Sequence, residues 1–241
     1  MVYSSKNNDF IKDIKKLNTK KYRDITNTYI VEGDHLVKEA LSQNVVKYVI
    51  SEENNDFETN KPKIIVTEEV LKYISNLDSP QKVMAICNKV ESNEIGKRIL
   101  ILDDIQDPGN LGTIIRSCVA FNINTLVLSK NTVDLYNSKV IRASQGMIFK
   151  LNIIIADIEE FLEKLDDSYK IIGTDVNSGS KISDFKKNEK FAIIMGNEGN
   201  GLSQNIKNMC TDFIYIPMND KCESLNVGVA ASIIMYELGE I

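Results

Sequence analysis

The sequence predicts an α/β protein in two parts: a small α/β domain over residues 1–90, then a parallel-sheet domain over residues 98–241. Three observations carry this expectation. From Arg98 onward, strand-length apolar runs alternate with amphipathic helical patterns, the signature of a parallel sheet covered on both faces. The stretch 88–96 is polar and charged, as a linker would be. Three turns rich in Gly, Asn or Ser each follow an apolar run in the C-terminal half, and open α/β sheets bind ligands in such turns, beyond the ends of their strands.

Taken in order, the first domain starts with a basic helical stretch at 8–16 and a turn at 18–21. A β-rich run at 28–31 leads through Glu32-Gly33 to Asp34, a candidate N-cap for the helical spacing of 35–41. Strand-like runs at 45–50 and 63–66, a helix at 68–75 and, after Ser79-Pro80-Gln81, a strand at 83–87 complete it. In the second domain the strand candidates are 99–102, 125–128, 151–155, 170–173, 191–195 and 213–216. Helices are expected at 111–121, 158–165, 204–209 and 226–238.

Composition excludes several classes. No apolar run approaches the ~20 residues of a membrane span, and the polar start offers no signal-peptide core. A cytoplasmic location with no membrane partner is therefore expected. Cys87, Cys118, Cys210 and Cys222 show no Cys-x-x-Cys spacing, and His35 is the only histidine, so neither a disulfide framework nor a metal site is expected. The net charge of −5 disfavours a whole-molecule polyanion binder. Locally, Lys6, Lys12, Lys15, Lys16, Lys20, Lys21 and Arg23 outnumber Asp9, Asp13 and Asp24 over the first 24 residues. Such a segment is either a solvated helix face or an RNA-recruiting patch, with Lys20, Lys21 and Arg23 as its candidate contacts.

The first motif, Asp107-Pro-Gly-Asn-Leu-Gly-Thr-Ile-Ile-Arg116, joins a strand to a helix. A helix starting near Leu111 makes Asn110 its N-cap and puts Arg116 in the second turn. The second, Met195-Gly-Asn-Glu-Gly-Asn-Gly-Leu-Ser203, matches Gly-x-x-x-x-Gly-x-Ser, but Leu202 stands where a P-loop needs Lys. Its glycine order also breaks the dinucleotide fingerprint. What is left is a turn carrying the carboxylate of Glu198, better suited to a neutral or cationic ligand than to a polyphosphate. In the third, Ile216-Pro-Met218 ends a strand, and Glu223-Ser-Leu-Asn-Val-Gly228 starts an apolar helix with Ser224 as the candidate cap. Alone, each is also readable as an ordinary turn or helix start.

In wording and order the three motifs closely resemble the SpoU (TrmH-like) RNA 2′-O-ribose methyltransferases of the SPOUT superfamily. Residues 98–241 are similar to the SPOUT catalytic domain. Residues 1–90 are similar to the L30e-like RNA-binding domain that often precedes it, through Glu32-Gly33 and Ser79-Pro80-Gln81. Two departures are Asn122 and Gly228, which stand where the family usually has Gly and Ser. The resemblance implies a parallel-sheet domain with a deep trefoil knot, S-adenosylmethionine as cofactor, no metal, and a homodimer built through the C-terminal domain, with Ile233, Ile234 and Leu238 extending the last helix's apolar surface. It implies methyl transfer to a ribose 2′-hydroxyl of structured RNA, ribosomal RNA favoured over transfer RNA. Asn110, Arg116, Glu198, Ser224 and Asn226 carry over as catalytic residues, and Thr174, Gly196, Ile216 and Leu225 as cofactor-binding ones. Two other readings stay open from the residues: an RNA-binding protein of this fold without catalysis, and an α/β nucleotide-dependent enzyme.

Overall fold

The computed structural model describes residues 1–241 except 93, 177, 186–188, 198, 240 and 241. Its contacts group into two units: Met1–Val90 with Asp134–Phe149, and Glu91–Val133 with Lys150–Ile241.

The first unit contains a five-stranded mixed sheet in the order β1-β4-β3-β5-β2, with β1 Val2–Tyr3, β2 Thr28–Glu32, β3 Val46–Glu52, β4 Lys63–Val66 and β5 Val83–Asn88. Its helices are α1 Asp9–Lys16, α2 Lys20–Thr26, α3 Asp34–Ser42 and α4 Glu68–Ile74. Helix α1 buries Ile11 and Ile14 against Val70, Leu71 and Ile74 of α4, a stripe that the i, i+3 spacing dictates. The turn expected at 18–21 continues directly into α2, with Thr19 at its N-cap position. The expected cap Asp34 is instead the first residue of α3. Gly33 occupies the cap position at φ +101°, a left-handed value that favours glycine.

A segment expected in the second domain belongs with the first unit. Residues 134–149 carry α6 Ser138–Ser144, a helix the sequence reading did not anticipate. Strand β2 is the sheet's edge, and this segment packs against it: the rings of Tyr29 and Tyr136 lie 4.4 Å apart, and Lys89 sits 5.1 Å over Tyr136. Leu135, Val140 and Ile141 are buried there. A bare edge strand is an aggregation hazard, so covering it is a physical reason for the borrowed segment.

The second unit holds a seven-stranded sheet, parallel throughout the described residues, in the order β10-β12-β9-β11-β6-β7-β8. The strands are β6 Arg98–Leu102, β7 Thr125–Ser129, β8 Asn152–Ala156, β9 Lys170–Thr174, β10 Ser180–Lys181, β11 Phe191–Met195 and β12 Asp212–Tyr215. The helices are α5 Pro108–Ala120, α7 Ile158–Glu163, α8 Gln204–Met209 and α9 Val227–Leu238. Alternate residues Ile99, Ile101, Ala192 and Ile194 pack with Phe161 and Leu162 of α7 and Ile206 of α8. Their neighbours Leu100, Leu102 and Ile193 point to the opposite face and are equally buried, so both faces are covered. Helices α5 and α9 pack together through Cys118 against Met235 and Phe121 edge-on to Tyr236.

Candidate functional site

Because the sheet is parallel, the carboxyl ends of its strands share one edge. Four consecutive strands, β12-β9-β11-β6, end there in register: Met195 opposite Leu102, Ile194 opposite Gly173, and Thr174 opposite Ile214. The first motif follows β6, the second follows β11, the third follows β12, and Thr174 ends β9. Three inter-strand spacings of about 4.8 Å make an edge of about 14 Å, wide enough for one nucleoside-sized ligand. The sequence expectation that three loops converge rests on this strand order, which no local pattern reveals.

In the first motif the helix starts three residues earlier than expected. Asp107, not Asn110, is the N-cap: its Oδ1 accepts from the Asn110 backbone N–H at 2.8 Å, and Pro108 takes the first helical position. Proline is favoured there because its missing N–H has no helical partner. Asn110 is therefore inside the first turn, and its Oδ1 accepts from the Asn226 side-chain amide at 2.9 Å. Arg116 lies in the third turn rather than the second, on an exposed stripe with Gly109, Thr113 and Ala120. Among the described residues Arg116 has no ion-pair partner.

The cap of α9 also differs from expectation. Asn226, not Ser224, caps it, with Oδ1 accepting from the N–H groups of Gly228 at 3.0 Å and Val229 at 3.3 Å. Those two donors fix the amide's orientation, so its NH2 faces Asn110. One side chain thus starts a helix and joins the first motif to the third. Ser224 is exposed in the preceding loop, and its carbonyl accepts from the Cys222 thiol. A Cβ on Gly228 would lie 3.2 Å from Asn226 Oδ1 and 3.6 Å from both Asn110 Oδ1 and Thr113 Cβ, so α9 meets α5 closely here. One turn on, the Ser117 and Ser232 hydroxyls are 2.7 Å apart.

The second motif folds back on itself. The Gly201 N–H donates to the Asn197 carbonyl at 2.9 Å, and Asn197 Oδ1 accepts from Gly199 and Asn200 N–H. Asn197 Nδ2 donates to the Asp104 carbonyl at 2.9 Å, tying this loop to the one after β6. Ser203 caps α8, and Leu202 is buried in the core. Glu198 lies outside the described residues. Ile216 and Leu225 are half-buried, as are Thr174, whose hydroxyl donates to the Ile194 carbonyl at 3.0 Å, and Gly196. A Cβ on Gly196 would sit 2.4 Å from the Gly201 carbonyl carbon and 2.7 Å from Leu202 N. Both are backbone atoms, so Gly196→Ala is expected to force the loop open. The expected result is a loss of ligand affinity at this edge of tenfold or more, about 1.4 kcal/mol, in calorimetry, with the circular dichroism spectrum unchanged.

Sequence reasoning missed Asp107, Asn197 and Asp104. The first two carried a signal: Asp before Pro reads as a cap with Pro at N1, and Asn opening a Gly-rich turn reads as an Asx-turn. Asp104, at φ +60°, carried none. Burial, with Asp104 and Glu159 nearby, pushes the neighbouring Asp103 carboxyl above the usual carboxylate range.

The basic segment is less free than its composition suggests. Arg23 is 7% exposed; its guanidinium pairs with Asp134 and donates to the Leu17 carbonyl at 2.9 Å. It holds the first unit together and is removed from the candidate RNA face. Lys12, Lys16 and Lys20 pair with Asp9, Asp13 and Asp24, and Lys15 donates to the Ser75 carbonyl. Lys20 and Lys21 remain exposed on α2.

A family model described as the SpoU rRNA Methylase family matches residues 97–236, and one described as the MRM3-like substrate binding domain matches residues 8–85. The 23S rRNA (guanosine(2553)-2′-O)-methyltransferase RlmP of Bacillus subtilis is 35% identical over 241 residues, covering 97% of each chain. An AdoMet-bound rRNA methyltransferase from Sinorhizobium meliloti has a similar structure, with TM-score 0.88 and 27% identity over 99% of this chain and 97% of that one. A second solved structure, an RNA 2′-O ribose methyltransferase, gives TM-score 0.83 at 26% identity, covering 99% and 98%.

Proposed function

Since the chain belongs to the SpoU rRNA methylase family, we propose that it transfers a methyl group from S-adenosylmethionine to a ribose 2′-hydroxyl of structured RNA, ribosomal RNA rather than transfer RNA. The observation that carries this reading is the adjacency of the three motif loops at one sheet edge, the first and third joined by the Asn110–Asn226 hydrogen bond and the second tied to the loop after β6 by Asn197 to Asp104. The relative that matches nearly end to end acts on 23S ribosomal RNA, which supports the choice of RNA. The deep trefoil knot is part of the proposal. Strands β11 and β12 lie between strands that precede them in the chain, an order compatible with threading of the last segment.

The described residues fit the cofactor. The Gly-rich turn has open space beside Gly201, where a Cβ would meet nothing within 4 Å, and its described residues carry no cation to hold a polyphosphate. Backbone groups of Thr174, Gly196, Ile216 and Leu225 would hold the nucleoside and amino-acid parts. When bound, S-adenosylmethionine supplies a methyl group on a positively charged sulfur, already a strong electrophile. What the protein adds is alignment and charge. Arg116 holds the phosphate next to the target ribose and stabilises the oxyanion as the 2′-hydroxyl loses its proton. A guanidinium, whose positive charge is delocalised over its planar group, is a poor base, so a water or phosphate oxygen takes that proton. Asn110 and Asn226 keep the first and third loops together, Ser224 contacts the ribose or the cofactor loop, and Glu198 orients Arg116 and the second loop. The first unit holds the RNA, with Lys20 and Lys21 on its phosphates, and a cytoplasmic location, where such RNA is met, is part of the proposal. Lys20→Glu with Lys21→Glu is expected to weaken RNA binding and flatten its salt dependence, read in a filter-binding series at increasing salt. Mass mapping of ribose methylation in cells lacking the gene tests the substrate. The expected result is one ribosomal RNA methyl group lost; an unchanged ribosomal RNA with a lost transfer RNA methyl contradicts it.

The protein is proposed to act as a homodimer through α9. Of the residues expected there, Ile234 and Leu238 are buried in the protomer's own core, and only Ile233, 38% exposed, faces out. With Val229 and Tyr236, exposed by 48% and 62%, it forms a stripe at i, i+4, i+7. Light scattering is expected to give twice the chain mass at micromolar concentration, and Ile233→Glu to shift it to the monomer; a wild-type monomer contradicts the proposal.

A further inference from the structure

Asp104 and Asn197 meet inside the second unit, between the loops that carry the first and second motifs. Asn197 cannot turn its amide over. Its Oδ1 accepts from the Gly199 N–H at 2.9 Å and the Asn200 N–H at 3.2 Å, so the NH2 points away from its own turn. There Nδ2 donates to the Asp104 carbonyl at 2.9 Å and lies 3.5 Å from the Asp104 carboxylate Oδ2. Asp104 is held through its other groups as well. Its N–H donates to Ser129 Oγ at 2.9 Å, and its Oδ1 accepts from Gln106 Nε2. Gln106 Nε2 also donates to the Asn131 carbonyl at 2.8 Å, and the Val133 N–H to the Ile105 carbonyl at 2.9 Å. The residue after Gln106 is Asp107, the N-cap of α5.

Strand β6 lies between β11 and β7, so the loop that follows it is held from two sides. On the β7 side stand Ser129, Asn131 and Val133, which belong to no motif. On the β11 side stands the turn proposed to take the cofactor, and Asn197 is its link to Asp104. We propose that Asn197 is a positioning residue: through Asp104 it sets the start of α5, and with it Asn110 and Arg116, in response to cofactor in the second loop. The inference rests on the RNA-methylation reading above and carries it further, to a coupling between the two substrates. Cofactor that fixes the turn opened by Asn197 fixes the α5 cap, so the Arg116 guanidinium meets the RNA phosphate already aligned. Such coupling is reciprocal: RNA tightens the cofactor by the factor by which the cofactor tightens RNA. Asp104, at φ +60°, is in the left-handed region that Asn also adopts, so exchange for Asn keeps the turn.

Asn197→Asp keeps the oxygen that accepts from Gly199 and Asn200 but turns an oxygen, not a donor, toward the Asp104 carbonyl. The probes are ribosomal RNA and S-adenosylhomocysteine, the methyl-free product, which fills the cofactor site without reacting. In the wild type, saturating S-adenosylhomocysteine is expected to tighten RNA binding by about fivefold or more. In Asn197→Asp that factor is expected to fall below about twofold. The single-turnover methyl-transfer rate at saturating cofactor and RNA is expected to fall by about tenfold or more, as for a small misplacement of a reacting group. Adding Asp104→Asn returns a donor across the 3.5 Å contact, while its side-chain oxygen still accepts from Gln106. The double variant is expected to regain both rate and coupling; a merely structural role would make it slower than Asn197→Asp. If Asn197→Asp does not fold, Asn197→Ser replaces it, since serine still closes such a turn but does not reach Asp104. Its coupling is expected to be lost in the same way. Wild-type coupling and rate in the single variant, or a double variant no better than the single, overturns the role of Asn197. So does a wild-type protein that methylates RNA without coupling, and all three results leave the methylation reading standing. A wild-type protein that methylates no RNA overturns that reading and the inference with it.

Discussion

Replacing Arg116 with alanine is expected to lower methyl transfer by about 30- to 1000-fold, the 2–4 kcal/mol typical of losing a charge-assisted contact to a developing oxyanion. S-adenosylmethionine affinity is expected to stay within twofold. The separation follows from position: Arg116 lies on the exposed stripe of α5 and is not among the residues assigned to the cofactor. Lysine at 116 keeps the charge but not the planar fork that matches a phosphate, so Arg116→Lys is expected to recover only part of the rate. Single-turnover kinetics with saturating RNA reads both variants, and a wild-type rate in Arg116→Ala contradicts the assigned role.

The second large effect is on stability. Arg23→Ala leaves the Asp134 carboxylate nearly buried without its partner, and breaking such a pair costs about 3–5 kcal/mol. Replacing both members together, Arg23→Met with Asp134→Leu, removes the buried charges and is expected to restore most of the loss. The chain has no tryptophan, and Tyr29 and Tyr136 of the first unit lie in ring contact, so a tyrosine-fluorescence change on unfolding includes the loss of that contact. Urea denaturation checks the prediction, and a midpoint unchanged by Arg23→Ala contradicts it. The same geometry argues against testing residues 1–90 or 98–241 as isolated fragments, because either cut uncovers the edge of β2 or strands the segment that covers it.

The sequence was most legible where burial is continuous. Runs such as 99–102 and 191–195 are apolar at every position, because a central parallel strand has no solvent face, and they became β6 and β11. Residues 134–149 were illegible for the opposite reason. Asp134-Leu-Tyr136 and the short α6 have no sustained period, and what holds them is a long-range pair with Arg23 and a ring contact with Tyr29. Arg23 shows the same limit at one residue. Composition placed it in a basic patch, but only the fold reveals that a carboxylate 111 positions away buries it. At the site, residue identities were readable and their offices were not. Asn110 and Asn226 stood out, yet the caps fell to Asp107 and Asn226, because a helix start shifts by two or three residues without changing its apolar pattern.

The most direct measurement incubates the purified protein with S-adenosylmethionine labelled on its methyl group and ribosomal RNA, then hydrolyses the product in alkali. Alkaline cleavage needs a free 2′-hydroxyl, so a methylated ribose leaves its dinucleotide uncut. The label is expected in one alkali-resistant dinucleotide. Label recovered in single nucleotides would place the methyl group on a base, and no label in the RNA would mean no transfer; either result contradicts it.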